Sequence, residues 1–194
     1  VKFMLLSTLS FAFMNDLVKF LIDYSTFQLV FFRSLGSLFI TFGFLKSKKI
    51  NMLGNQKKLL MLRGLVGVTS MILFFWWIHY ISIGSAVTLR YLSPIFAGIL
   101  AVFFLREVIK PAQWGFFLIA FTGVFLIKSY DPSGSNFGVF LVLVAAFFSA
   151  VVYILISKIG KKDHPVVVVH YFMITATLVG GVGCIFFWVR PDLE

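Results

Sequence analysis

Residues 83–108 read IGSAVTLRYLSPIFAGILAVFFLREV. A helix needs about 20 apolar residues to cross the hydrocarbon core of a bilayer, and this stretch is long enough. Its apolar pattern is broken by one charge, Arg90, and it carries Pro94 near its middle. It ends in Arg106-Glu107, where charge can meet water. A charged side chain at the centre of a membrane costs about 2.5–3.5 kcal/mol on insertion scales, so such residues face a bundle interior. The stretch therefore predicts a membrane-spanning helix with Arg90 turned away from lipid.

The rest of the chain agrees with that reading. Of its 194 residues 60% are hydrophobic and 12% charged, with a mean hydropathy of +1.02. A soluble domain of this size holds roughly a quarter charged residues, so the polar surface for one is missing. Repeated apolar runs make this a polytopic helical membrane protein of the all-α class. The formal net charge of +10 would suggest nucleic acid in a soluble protein. Here the basic residues fall in short loops between apolar runs, where membrane topology explains them, and no nucleic-acid partner is expected. The single cysteine, Cys184, lies in an apolar run, so neither a disulfide framework nor a metal cluster is expected. No cofactor and no catalytic residue is expected either.

Seven spans can be placed, approximately Phe3–Ile22, Thr26–Leu45, Leu59–Ile81, Gly84–Leu105, Ala112–Ile127, Phe137–Ser157 and Pro165–Val189. Lysine and arginine divide unevenly between the two sides. Lys2, Lys46, Lys48, Lys49, Lys57, Lys58, Arg63, Arg106, Lys110, Lys158, Lys161 and Lys162 fall on one, and Lys128 and Arg190 on the other. The positive-inside rule then puts the N-terminus in the cytoplasm of a cell bounded by that membrane. A seven-span receptor would have the opposite orientation, and a retinal protein would need a lysine in the last span, which Pro165–Val189 lacks.

The most turn-rich segment, KSYDPSGSN (Lys128–Asn136), separates five spans from two. Laid over the first part, the second places Ser149 on Asn15 and Tyr153 on Lys19, and three residues further on His170 on Arg33. The polar interruptions of two helices thus coincide. Because five is odd, a second copy would be inverted relative to the first, an arrangement typical of secondary transporters. The expected organisation is a five-helix repeat over residues 1–128, a linker over 129–136, and the first two helices of an inverted second repeat over 137–194. The chain begins at Val1 and stops soon after an apolar run, so we expect it to be a piece of a longer one with three further spans. An incomplete second repeat could not close a cavity by itself, and a homodimer is one way to complete it.

Several of these stretches resemble the drug/metabolite transporter superfamily, in particular its EamA-type permeases of ten spans. FAFMNDLVKFL is similar to the opening helix of that family, with its lysine at Lys19. FQLVFFRSLGSLF is similar to the second, with its arginine at Arg33. The stretch from Arg63 to Ile127 resembles helices three to five, including Pro94, Glu107, Trp114, Gly115 and Gly123. Trp77 departs from the pattern, standing where smaller residues are usual. The resemblance implies two inverted five-helix repeats around a central cavity that works by alternating access. It implies transport of a small organic solute and leaves the cargo open.

The charged residues inside spans, Asp16, Lys19, Arg33 and Arg90, are the candidate substrate path, and Tyr91 and His170 are placed with them. Asn15, Asp16 and Lys19 share one helix face. The three cations lie three to eight residues from the outer ends of their helices, so they sit at similar depth. Plainer readings exist beside this one. Lys19 is close enough to the interface for its ammonium to reach the headgroups, and Asp16 with Arg33 would make a structural ion pair between the first two helices. Pro94 removes a backbone hydrogen bond and permits a kink, which frees a carbonyl near Arg90 or Tyr91 toward a cavity. His170 either titrates in coupling or hydrogen-bonds a neighbouring helix, and the second arrangement is the commoner. Glu107 is a solvated helix end on its own chemistry, and the resemblance adds a structural or gating role. His79, Trp76, Trp77, Trp188 and Tyr130 read as interfacial residues.

Three cations against one acid leave the expected cavity net positive, which favours an anionic or zwitterionic solute. The competing readings are a membrane-embedded lipid-modifying enzyme and a structural membrane subunit. The first calls for paired carboxylates or closely spaced histidines, and the sequence has neither. The second calls for no buried charge beyond paired ones, which Arg90 does not fit.

Overall fold

The computed structural model describes residues 5–6, 8–10, 12–14, 17, 21, 24–78, 89, 92–106, 108, 111–130 and 136–189. Asp16, Lys19, Arg90, Tyr91 and Glu107, and with them Asn15 and His79, lie outside the described residues. Six longer helices follow one another: α1 Thr26–Ser47, α2 Lys57–Ile78, α3 Ser93–Leu105, α4 Pro111–Tyr130, α5 Asn136–Ile159 and α6 Pro165–Phe186. Among the described residues there is no strand. Four of these helical segments are long and apolar enough to cross a membrane: Thr26–Ser47, Lys57–Trp76, Phe140–Lys162 and Pro165–Phe186.

Local sequence explains the helix starts. Ser25 and Gln28 form a capping box before α1, with Gln28 Oε1 accepting from the Ser25 N–H at 3.1 Å and Ser25 Oγ from Phe27 at 3.4 Å. The box satisfies donors that a helix N-terminus otherwise leaves bare. Pro165 opens α6, where its missing N–H is no loss. Pro94 lies at the start of a described helix, in the first turn of α3, which begins at Ser93. Just before it, the Leu92 N–H donates to the Leu89 carbonyl at 3.1 Å. A proline in a first turn costs no helical hydrogen bond.

The packing order differs from the chain order. α6 lies against both α1 and α2, α2 also lies against α5, and α5 carries α3. The consecutive helices α1 and α2 touch only lightly, because α6 fills the space between them. That insertion depends on Gly180: a Cβ there would come within 2.9 Å of the Phe31 backbone nitrogen on α1. The core where four helices meet is Val30 from α1, Val68, Met71, Phe74 and Phe75 from α2, Ala145 from α5 and Ala176 from α6. Outward faces stay apolar, as at Phe39, Ile40 and Ile185, each more than two-thirds exposed. Helices apolar on their outward faces too are what a lipid surround requires.

A second cluster of Leu45, Leu60, Ile159, Val167 and Val168 closes the end of the bundle where the α1–α2 and α5–α6 connections meet. A buried carboxylate ties those two connections together. Asp163 Oδ1 accepts from the Asn55 N–H, and Oδ2 from the Gln56 N–H at 3.1 Å. Asn55 Nδ2 donates to the Lys162 carbonyl at 2.7 Å, and Tyr171 donates to the Leu53 carbonyl at 2.9 Å. Asp163 thus fixes the two residues that lead into α2. The turn before it uses Gly54 at φ +59°, a left-handed conformation suited to glycine.

Candidate functional site

Between α1, α2, α5 and α6 lies a cavity of about 250 Å³. Its walls follow helical spacing. Arg63, Gly67 and Ser70 recur along one face of α2, and Ser149, Val152, Tyr153 and Ile156 along one face of α5. Arg33 enters from α1 and Phe172 from α6. From Arg63 to Phe75 the lining runs along three turns of α2, roughly 18 Å at 1.5 Å per residue.

Arg33 is half-buried. Its Nη1 donates to the Met71 sulfur at 2.9 Å, and its Cζ lies 5.7 Å from the centre of the Phe75 ring. A thioether is a weak acceptor, and an aromatic face attracts a cation without being a hydrogen-bond acceptor of the ordinary kind. Arg63 has a similar setting at the other end. Its Cζ lies 4.7 Å from the centre of the Phe172 ring, while Nε and Nη1 are buried with no hydrogen-bond partner among the described residues. The ring comes this close because residue 67 is glycine, whose Cβ would meet Phe172 at 3.1 Å. Between the two arginines, Ser70 Oγ donates to the Ala145 carbonyl at 2.9 Å and lies 2.7 Å from Ser149 Oγ. With the Ser70 proton so engaged, Ser149 is the donor in that pair, and its lone pairs remain for the cavity.

Of the residues singled out in the sequence, Arg33 lines this cavity, and so do Ser149 and Tyr153, the positions that the repeat match set against Asn15 and Lys19. His170 does not. It is buried on α6, its Nδ1 3.0 Å from the Thr41 hydroxyl of α1, and it faces a separate space with Tyr171, Met61 and Leu65. The match of His170 with Arg33 thus does not bring the two side chains into one site. Trp76 and Trp188, both about half exposed, line a third, mainly apolar space of about 600 Å³ beside Phe27 and Phe187.

Arg63 is the residue that sequence reasoning missed. It was counted with the basic flank of its span, but it lies nearly two turns inside α2. Its neighbours held a signal: RGLVG places glycines at 64 and 67, and both face α6 closely, Gly64 against Thr175 and Gly67 against Phe172. Small residues at a helix contact mark a face turned to protein, not to headgroups.

Apolar helices of spanning length around a partly polar cavity define a multi-pass helical membrane protein. Comparison with known proteins places it further: residues 1–129 match the EamA-like transporter family, and the chain belongs to that family. It is 28% identical to the pseudopaline exporter of Pseudomonas aeruginosa over 90% of this chain and 62% of the exporter. It is 31% identical to an uncharacterized transporter of Helicobacter pylori over 94% of this chain and 63% of that protein. An S-adenosylmethionine uptake transporter of Rickettsia bellii is 29% identical over 87% of this chain and 58% of its own length. The chain thus spans about three-fifths of the length of these relatives. No solved structure matches it at a significant level.

Proposed function

We propose that this chain works as a secondary carrier, not an enzyme, moving a small organic anion or zwitterion across the cytoplasmic membrane by alternating access. The observation that carries the proposal is the cavity itself. It lies between helices on either side of residue 129, with Arg33 in its wall and serine hydroxyls at its middle. In this reading residues 1–128 form the first five-helix repeat, 129–136 the linker, and 137–194 the start of an inverted second repeat. The interleaving of α6 between α1 and α2 supports it, because two repeats that share a cavity must meet along such a seam. The excess of lysine and arginine on one side supports an N-terminus in the cytoplasm, and a homodimer belongs to the same proposal.

Substrate charge follows from the wall. The cavity wall includes Arg63, whose Nε and Nη1 are buried without a partner among the described residues, so a solute bearing a negative group gains there what a cation would lose. Asp16, Lys19, Arg90 and Tyr91 join the proposed path, with Pro94 and Glu107 as structural or gating residues, on the family resemblance and their positions in sequence. The named relatives include an exporter and an uptake carrier, so the proposal concerns the kind of protein and not the direction of flow.

The test is uptake of a labelled metabolite mixture into proteoliposomes. Arg33→Ala should insert at the wild-type level and accumulate roughly tenfold less solute, the loss expected when a charge-assisted contact of about 1.4 kcal/mol disappears. Uptake by Arg33→Ala equal to that of the wild type would contradict the assignment.

A further inference from the structure

Resting on that carrier reading, we infer that Arg63 is the anchor for a carboxylate on the transported solute. The wild-type site is electrostatically unfinished. Two of the three guanidinium nitrogens of Arg63 are buried and unpartnered among the described residues, although buried polar groups as a rule find partners. Asp163, the single acid among the described residues, has both oxygens engaged by the backbone of Asn55 and Gln56. Phe172 stabilises the charge through its ring face but leaves the N–H groups unused.

The shape of a guanidinium says what is missing. Its donors form planar forks that match the two oxygens of a carboxylate. Nη2 belongs to both forks, so either one includes an unpartnered nitrogen, Nε or Nη1. A carboxylate that drew the guanidinium a little way into the cavity would satisfy that buried nitrogen and neutralise the charge at once. The rest of the solute would then extend along α2 toward Ser149, whose lone pairs suit a hydroxyl or amino donor, with Arg33 beyond it. Arg63 and Arg33 thereby have different duties. Arg33 already contacts Met71 sulfur and the Phe75 ring, whereas Arg63 waits for an oxygen ligand.

Thermal unfolding of the purified full chain in detergent tests this without transport. The probes are benzoate, phenylalanine and glutarate, each beside its amide. At least one acid should raise the melting temperature, and its amide should bind roughly tenfold more weakly, having no charge for the fork. Arg63→Gln should abolish the preference for acid over amide, and Arg63→Lys, which keeps the charge without the fork, should restore it in part. Unliganded Arg63→Met should melt no lower than the wild type, because an unpaired buried cation does not stabilise the fold. The inference is overturned if no acid shifts the transition, if acid and amide act alike, if Arg63→Gln keeps the preference, or if Arg63→Met melts well below the wild type. Acid binding at Arg63 in a chain that fails to accumulate solute would contradict the carrier reading and leave Arg63 a carboxylate site with no part in transport.

Discussion

At the residue scale, the polar side chains divide by whether their partners lie within the chain. Asp163 has complete partners: both oxygens receive backbone N–H groups of the residues that lead into α2, about a hundred residues away in sequence. Asp163→Ala would leave those two donors bare, each costing about 1–3 kcal/mol when buried. The expected loss is about 2–3 kcal/mol of stability, read from denaturant unfolding in detergent, and a loss below 0.5 kcal/mol would contradict that role. Arg63 is the opposite case, a residue whose removal should matter for ligand and not for fold. The sequence made Arg33 legible because it interrupts an apolar run, and left Arg63 hidden behind Lys57 and Lys58. A charge rule reads a basic flank as a unit, and only packing against α6 separates Arg63 from it. The Asp163 contact was illegible for another reason, since nothing local pairs residue 163 with residues 55 and 56.

At the element scale, the spans were readable from length and composition, and their neighbours were not. The expected segments Thr26–Leu45, Leu59–Ile81, Phe137–Ser157 and Pro165–Val189 correspond to α1, α2, α5 and α6 within a few residues. The order in which they pack comes from small residues that any single helix hides among its apolar ones. Gly180 is the clearest of these, and it predicts a contrast with Gly123. Gly180→Ala should push α6 from Phe31 and cost about 1–3 kcal/mol, as overpacking does. Gly123→Ala on α4 meets nothing within 4 Å and should be neutral or stabilise by about 0.5–1 kcal/mol through helix propensity. Melting temperatures of the two variants in one detergent decide this, and equal losses would mean that the α1–α6 contact is looser than described. A proline in an apolar run suggests a kink in one helix, and among the described residues Pro94 stands in the first turn of α3.

At the scale of the molecule, the carrier reading comes down to whether the space between α1, α2, α5 and α6 is reached by water. Helices of spanning length and a family match over residues 1–129 make the chain a membrane protein of the EamA-like family, and the carrier proposal requires a path for solute through its interior. Ser149 is the position to probe, because it is buried at the middle of the cavity and cysteine is close to it in size. Replacing Cys184 by alanine removes the chain's other thiol. The most direct measurement is labelling of Ser149→Cys in that background by a membrane-impermeant maleimide, applied in turn to each face of oriented membrane vesicles. The account predicts labelling from both faces, reduced from both by a bound solute. Absence of labelling from either face, in vesicles where a loop cysteine reacts fully, would contradict it.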